Sequence, residues 1–316
     1  MISKKTVFVL GAGASCPFGL PTGGQLRAMF CEQLSGTDHK LSRSLTDCGF
    51  SANTIRAFGR DFMFSGVMSI DSFLATRSEY HEIGVHAIAA TLLPQEAEVR
   101  LYKRGPAGQV KWGDSDWYGY LWNRMRADVT QPDQLLMNQV SFITFNYDRT
   151  FEVFMLNSIQ HTFGLERDAA FEILQRTPIH HVYGSLGEYE GSKGGFGFGR
   201  ATSAEIIKAS AQRLRVVPSA RPSSDDRCTE LLSSAETVIF LGFGFDSTNC
   251  ARLGFRSLME SREAQQLPQV VGTSFGMKRG EEELAVSQIS TPSLVPSLIS
   301  INCLDLLRLQ AALLAG

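Results

Sequence analysis

The chain has little of what would commit it to a metal, a membrane or a nucleic-acid backbone. Its six cysteines (Cys16, Cys31, Cys48, Cys228, Cys250 and Cys303) form no C-x-x-C pair and fall at irregular spacings. That argues against a structural zinc site and fits a reducing compartment. No apolar stretch approaches the ~20 residues of a membrane-spanning helix. The opening Met1-Ile2-Ser3-Lys4-Lys5 carries charge, with no signal-peptide apolar stretch before the first strand. A cytoplasmic protein is expected. The net charge of -2 offers no broad footprint for nucleic acid. Strand signals are scarce between residues 35 and 135, and no G-x-S-x-G elbow surrounds any serine near the N-terminus.

What remains is an ordinary globular composition. The 316 residues are 43% hydrophobic and 20% charged, enough for one large α/β domain. Thr6-Val7-Phe8-Val9-Leu10 is an apolar run that stops at Gly11-Ala12-Gly13-Ala14-Ser15. This is the pattern of a buried strand feeding a glycine turn, where small residues let a phosphate approach the backbone. The third glycine of a G-x-G-x-x-G fingerprint would fall at Cys16, and no acidic residue closes a second strand nearby. An ordinary dehydrogenase is therefore disfavoured. Thr22 and Gln25 are spaced as a capping box, and Leu26, Met29, Phe30 and Leu34 follow at helical spacing. That helix should pack on the first strand.

Residues 35–135 read as a mostly helical insertion, with helical pieces around Ile70–Tyr80 and Glu82–Leu93. The aromatics Trp112, Trp117, Tyr118, Tyr120 and Trp122 fit core or subunit packing, and the 110–122 segment is also a candidate contact surface. From residue 136 the α/β alternation returns. Strands are expected at Val140–Phe145, Ile179–Tyr183, Thr237–Leu241, Pro268–Val271 and Leu298–Ile301, with helices at Arg149–Gln160 and Leu304–Leu314. Gly184 and six further glycines between 187 and 199 suggest a hinge or lid. The expected fold is α/β: a Rossmann-like parallel sheet with helices on both faces, in a single domain over 1–316. Four strand ends carry small or polar residues: Gly11–Ser15, Asn146–Asp148, Gly242–Asp246 and Gly272–Ser274. In an open parallel sheet, ligands bind beyond the carboxyl ends of the strands, so one crevice should gather these four.

Asn146 and Asp148 alternate on a strand end and can face the same way. An amide and a carboxylate suit holding a ribose and a water, or simply an Asx turn and a helix cap. His180 and His181 are adjacent and should face opposite sides of a strand. Either suits proton transfer near neutral pH, or the core. Ser15 fits a phosphate contact better than a nucleophile.

The ordered set Gly11-Ala12-Gly13-Ala14-Ser15, Gly19-Leu20-Pro21, Thr144-Phe145-Asn146-Tyr147-Asp148, Gly242-Phe243-Gly244 and Gly272-Thr273-Ser274 resembles the sirtuin superfamily. It resembles most the sirtuin-like NADases of bacterial antiphage defence. The resemblance implies that Gly11, Ala12, Gly13, Ala14 and Ser15 hold the pyrophosphate and nearby ribose. It implies that Asn146 orients the nicotinamide ribose and the attacking water, with Thr144 beside it and Asp148 beneath the nicotinamide. Gly242, Phe243 and Gly244 would face the adenosine ribose, with Asp246 a further nucleotide contact. The chain departs from the pattern in three ways. It lacks the four-cysteine zinc module of the deacylases. Thr22-Gly23-Gly24 follows Leu20-Pro21, where deacylases carry Asp-Phe-Arg. Tyr183 stands before Gly184-Ser185, where the catalytic histidine normally sits. Strand alternation puts His181 on the same side as Tyr183, so His181, His180 or Tyr183 is left to occupy the base position, with His181 favoured.

The activity implied is hydrolysis of NAD to nicotinamide and ADP-ribose, with NAD as substrate and no metal, by an antiphage defence effector that depletes cellular NAD. The alternative is a catalytically silent NAD or ADP-ribose sensor or scaffold. The resemblance also implies a homo-oligomer, an assembly with a separate partner such as a HerA-type ATPase or another defence protein, or both.

Overall fold

Six short strands form one all-parallel sheet: β1 (Thr6–Leu10), β2 (Val140–Thr144), β3 (Ile179–His181), β4 (Thr237–Leu241), β5 (Gln269–Thr273) and β6 (Ser297–Ile299). Their spatial order is β3-β2-β1-β4-β5-β6. The computed structural model describes residues 1–34, 39–102, 115–188, 197–199, 202–216 and 224–315. Every residue of β1 and β4 is buried. This is why these strands read as continuous apolar runs: helices cover both faces of a parallel sheet. On one face Val7 and Val9 pack with Leu26, Phe30, Phe58 and Leu74. On the other, Phe8 and Leu10 pack with Trp117, Tyr118, Phe151 and Leu306. The expected Rossmann-like α/β fold is present.

No strand occurs among the described residues of 35–135, which form helices including Ala52–Phe64, Ile70–Thr76, His81–Leu92 and Trp117–Met125. These helices share both apolar clusters with the sheet. The Thr22/Gln25 capping box forms, and Leu26 and Phe30 of the helix Gly23–Gln33 pack on the first strand as expected. Trp117, Tyr118 and Trp122 are buried and pack in the core, whereas residues 110–114 of the candidate contact surface lie outside the described residues. Tyr118 stacks on Phe18 with ring centroids 3.7 Å apart. Trp112 and most of the glycine-rich stretch after Gly187 lie outside the described residues.

Several element boundaries differ from expectation. The third strand stops at His181, because Val182 and Tyr183 enter a turn. The last strand runs Ser297–Ile299, and the closing helix is Cys303–Leu309 followed by a 3-10 turn at Ala311–Leu314.

β1 and β4 are neighbours in the sheet but far apart in sequence, and the chain leaves β1 toward β2 on the other side. This is the topological switch point, where two adjacent strand ends diverge and leave a crevice.

Candidate functional site

A crevice of about 860 Å³ opens at that point, within the usual range for small-molecule sites. All four expected strand ends reach it, through residues that include Gly11, Asn146, Gly242 and Thr273.

The β1 and β4 turns meet backbone to backbone. The Gly11 N–H donates to the Leu241 carbonyl and the Gly13 N–H to the Gly242 carbonyl, both at 3.0 Å. A Cβ on Gly11 would lie 2.5 Å from the Gly242 carbonyl oxygen, and one on Gly242 would lie 2.1 Å from the Ala14 nitrogen. Gly242 also sits at φ 58°. These glycines are therefore required first by the contact between the two turns. This changes the expected picture: the Gly13 and Ala14 N–H groups bond to Gly242 and Gly11 carbonyls rather than facing a phosphate. Gly244 differs, since a Cβ there would meet nothing within 4 Å. Phe245, at φ 52°, holds a left-handed conformation that L residues avoid. Its ring packs at 5.3 Å from Phe240 and 5.1 Å from Phe243.

At the β2 end, Asn146 ties two strand ends together. Its Nδ2 donates to the Gly11 carbonyl (3.0 Å) and to Ser15 Oγ (2.9 Å). Its backbone N–H donates to Thr144 Oγ1 (3.1 Å). That leaves Asn146 Oδ1 buried with no hydrogen-bond partner. A buried orphan acceptor costs about 1–3 kcal/mol unless something donates to it. Asp148 is buried beside it and accepts from the Thr150 N–H (3.1 Å) and the Thr150 hydroxyl. Burial raises the Asp148 carboxyl above its ordinary value, against the pull of the Thr150 hydroxyl.

The helical insertion supplies partners that no local motif announced. The Tyr147 hydroxyl donates to Asp71 Oδ1, and Asp71 lines the crevice. Glu96 accepts from the Arg149 N–H (2.8 Å) and from its guanidinium (2.6 Å), a fully buried ion pair. Trp117 Nε1 donates to the Ala14 carbonyl (2.8 Å), and the Tyr118 hydroxyl lies 2.9 Å from Thr150 Oγ1. The one available signal was Ser69, which caps the helix Ile70–Thr76 and places Asp71 in its first turn.

His181 does not reach the crevice. Its Nδ1 donates to the Asn146 carbonyl (2.8 Å) and its Nε2 pairs with Glu152. Burial pulls the ring's pKa down, but the Glu152 carboxylate, together with the Asn146 carbonyl and Asp148, lifts it above the ordinary histidine value. The expected shared face with Tyr183 fails because strand alternation ends at His181. Tyr183 joins the opposite apolar cluster, and its hydroxyl donates to Asn249 Oδ1 (2.7 Å). His180 lies 3.0 Å from the Asp225 carboxylate, near Cys228. The same Asp225 oxygen caps the helix Asp226–Ser233, so hydrogen bonding accounts for this group. Of the three residues considered for the base position, Tyr183 alone lines the crevice, and burial raises its phenol well above the ordinary value.

Among the described lining residues are three carboxylates, Asp71, Asp148 and Asp246, and no lysine, arginine or histidine. Asp246 is exposed and caps the helix Ser247–Leu253. The Cys16 thiol is raised by burial, and Cys303 is pushed up to about 12 by burial. Both lining thiols are therefore protonated at neutral pH and poor nucleophiles. No protein-family model matches the chain, and no curated protein matches it.

Proposed function

We propose that the protein hydrolyses NAD to nicotinamide and ADP-ribose. The observation that carries this reading is the Asn146 amide. Fixed from behind by the Gly11 carbonyl and Ser15, it offers an unpartnered Oδ1 at the switch point of a Rossmann-ordered sheet. Such an oxygen accepts a hydrogen bond from a ribose hydroxyl or from the attacking water. The nicotinamide ring carries positive charge in the substrate, and the ribose gains it in an oxocarbenium-like transition state. A wall of carboxylates without a cationic side chain among the described lining residues stabilises both. The Gly11–Ser15 turn would hold the pyrophosphate side through groups other than the Gly11, Gly13 and Ala14 N–H donors, which the fold already uses, and Gly242–Gly244 would hold the adenosine ribose, with Thr144 and Asp246 as neighbouring contacts. Asp148 would sit beneath the nicotinamide. His181 takes a positioning role, holding the Asn146 backbone through its carbonyl.

The motif resemblance extends the reading to an antiphage effector in the cytoplasm, a homo-oligomer controlled by a HerA-type ATPase or another defence protein. That extension rests on the resemblance alone.

A second reading is favoured by one observation: no histidine lines the crevice among the described residues. A silent NAD or ADP-ribose sensor needs no base. Incubating the protein with NAD, alone and with its genomic neighbour, and measuring nicotinamide by chromatography separates the two. Hydrolysis predicts nicotinamide release that Asn146→Ala lowers by about 100-fold or more. The sensor predicts calorimetric binding without release. Absence of both overturns the NAD assignment.

A further inference from the structure

The helical insertion places a carboxylate in the crevice that no motif accounts for. Asp71 stands in the first turn of the helix Ile70–Thr76, lines the crevice, and accepts from the Tyr147 hydroxyl through Oδ1 and from Ser69 Oγ (3.2 Å) through Oδ2. Tyr147 follows Asn146 directly in the chain, so Asp71 is tied to the segment that carries the orphan Oδ1. The geometry points to Asp71 as the general base of this site, taking the proton of the water that Asn146 orients. The inference rests on the NAD-hydrolysis reading and assigns it the base that the strand histidines do not provide.

The other candidates are each committed elsewhere. His181 is held by Asn146 and Glu152, outside the crevice lining. The Tyr183 phenol is donated to Asn249 and stays protonated. Asp246 is an exposed helix cap. Asp148 accepts the N–H and the hydroxyl of Thr150 on one oxygen, and Ser15 hydrogen-bonds to its carboxylate as well. Asp71 receives a hydroxyl donor on each oxygen, and its carboxylate keeps lone pairs for water. It is faced by Tyr147, Tyr183 and Asp246, with Ser69 on its own helix. Burial raises its carboxyl toward the working range of a base, and the Tyr147 hydroxyl pulls it partly back.

The step balances without a co-reactant. The water oxygen forms a bond to the ribose C1′ as the C1′–N bond to nicotinamide breaks. The bonding pair leaves on the ring nitrogen, giving neutral nicotinamide. One water proton passes to Asp71 and then to solvent. A water oriented by Asn146 Oδ1 and Asp71 would have an acceptor for each of its two protons.

The test is Asp71→Asn, read as kcat, NAD affinity and pH profile. The expected result is a fall in kcat of about 100-fold or more with NAD binding retained within about threefold, as loss of a base requires. Tyr147→Phe supplies an independent readout that does not need the Asp71 variant to fold. Removing the hydroxyl that lowers Asp71 should move the acidic limb of the kcat profile to higher pH. Asp71→Asn with kcat within about twofold of wild type, or an acidic limb that Tyr147→Phe leaves in place, overturns the assignment while leaving NAD hydrolysis standing. Wild-type protein that binds NAD and releases no nicotinamide overturns both.

Discussion

The two ends of the crevice are built by opposite means. At the β1 and β4 ends, backbone packs on backbone: Gly11, Gly13 and Gly242 touch so closely that a single Cβ would collide. At the β2 end, side chains from distant segments do the holding: Glu96 on Arg149, Asp71 on Tyr147, His181 on the Asn146 carbonyl. The first arrangement tolerates almost no variation, whereas the second depends on groups whose charge and protonation matter. A rigid cradle is thus set beside a tunable polar wall, a division suited to holding one part of a ligand while chemistry occurs on another.

Breaking the polar side should be the costlier perturbation. The Glu96–Arg149 pair is buried at 1% and 4% side-chain exposure. Replacing one partner removes the charge that balances the other in a buried setting, which costs about 3–5 kcal/mol. Glu96→Gln should lower the unfolding free energy by that order in a denaturant titration. A loss under about 1 kcal/mol would mean that the insertion does not clamp the Asn146–Arg149 segment through this pair.

The glycine side divides into a structural part and a ligand-facing part. Gly242→Ala combines left-handed backbone strain with a 2.1 Å collision, so it should destabilise the fold by about 3 kcal/mol. Gly244→Ala introduces a Cβ into open space. Its stability should stay within about 0.5 kcal/mol of wild type, while its NAD affinity, measured by calorimetry, falls about tenfold, or 1.4 kcal/mol. Equal effects from the two substitutions would erase the distinction between them.

The same contrast explains what the sequence disclosed. β1, β2 and β4 were legible because they are apolar runs stopped by glycine or polar residues, and the four strand ends follow from strand geometry. Gly11 and Gly13 were legible as residues, yet their first reason is contact with Gly242, which lies in another strand's turn. The polar wall was not legible. Asp71 pairs with a tyrosine 76 positions away, Glu96 with an arginine 53 away, and Trp117 with a carbonyl 103 away. Periodicity reports which face a residue takes, not which distant group it meets. His181 was misplaced for a related reason. Alternation holds only while a strand lasts, and β3 ends two residues too early to carry it to Tyr183.

The smallest expected effect probes how that misplaced histidine supports the wall. The contacts of His181 to the Asn146 carbonyl and to Glu152 both need an N–H on the ring. The ring is therefore drawn to its charged form, and its folded pKa lies above the ordinary 6.5. A raised value in the folded state stabilises the fold fully below the unfolded pKa, and that stabilisation is lost as pH rises through the folded value. Glu152→Gln removes the carboxylate that lifts it. The melting-temperature gap between wild type and Glu152→Gln should be widest near about pH 6 and narrow steadily toward about pH 9. A gap that widened with pH would mean that His181 is neutral in the fold. The Asn146 carbonyl would then be held by a neutral ring, with no link between the charge of this pair and the placement of the crevice amide.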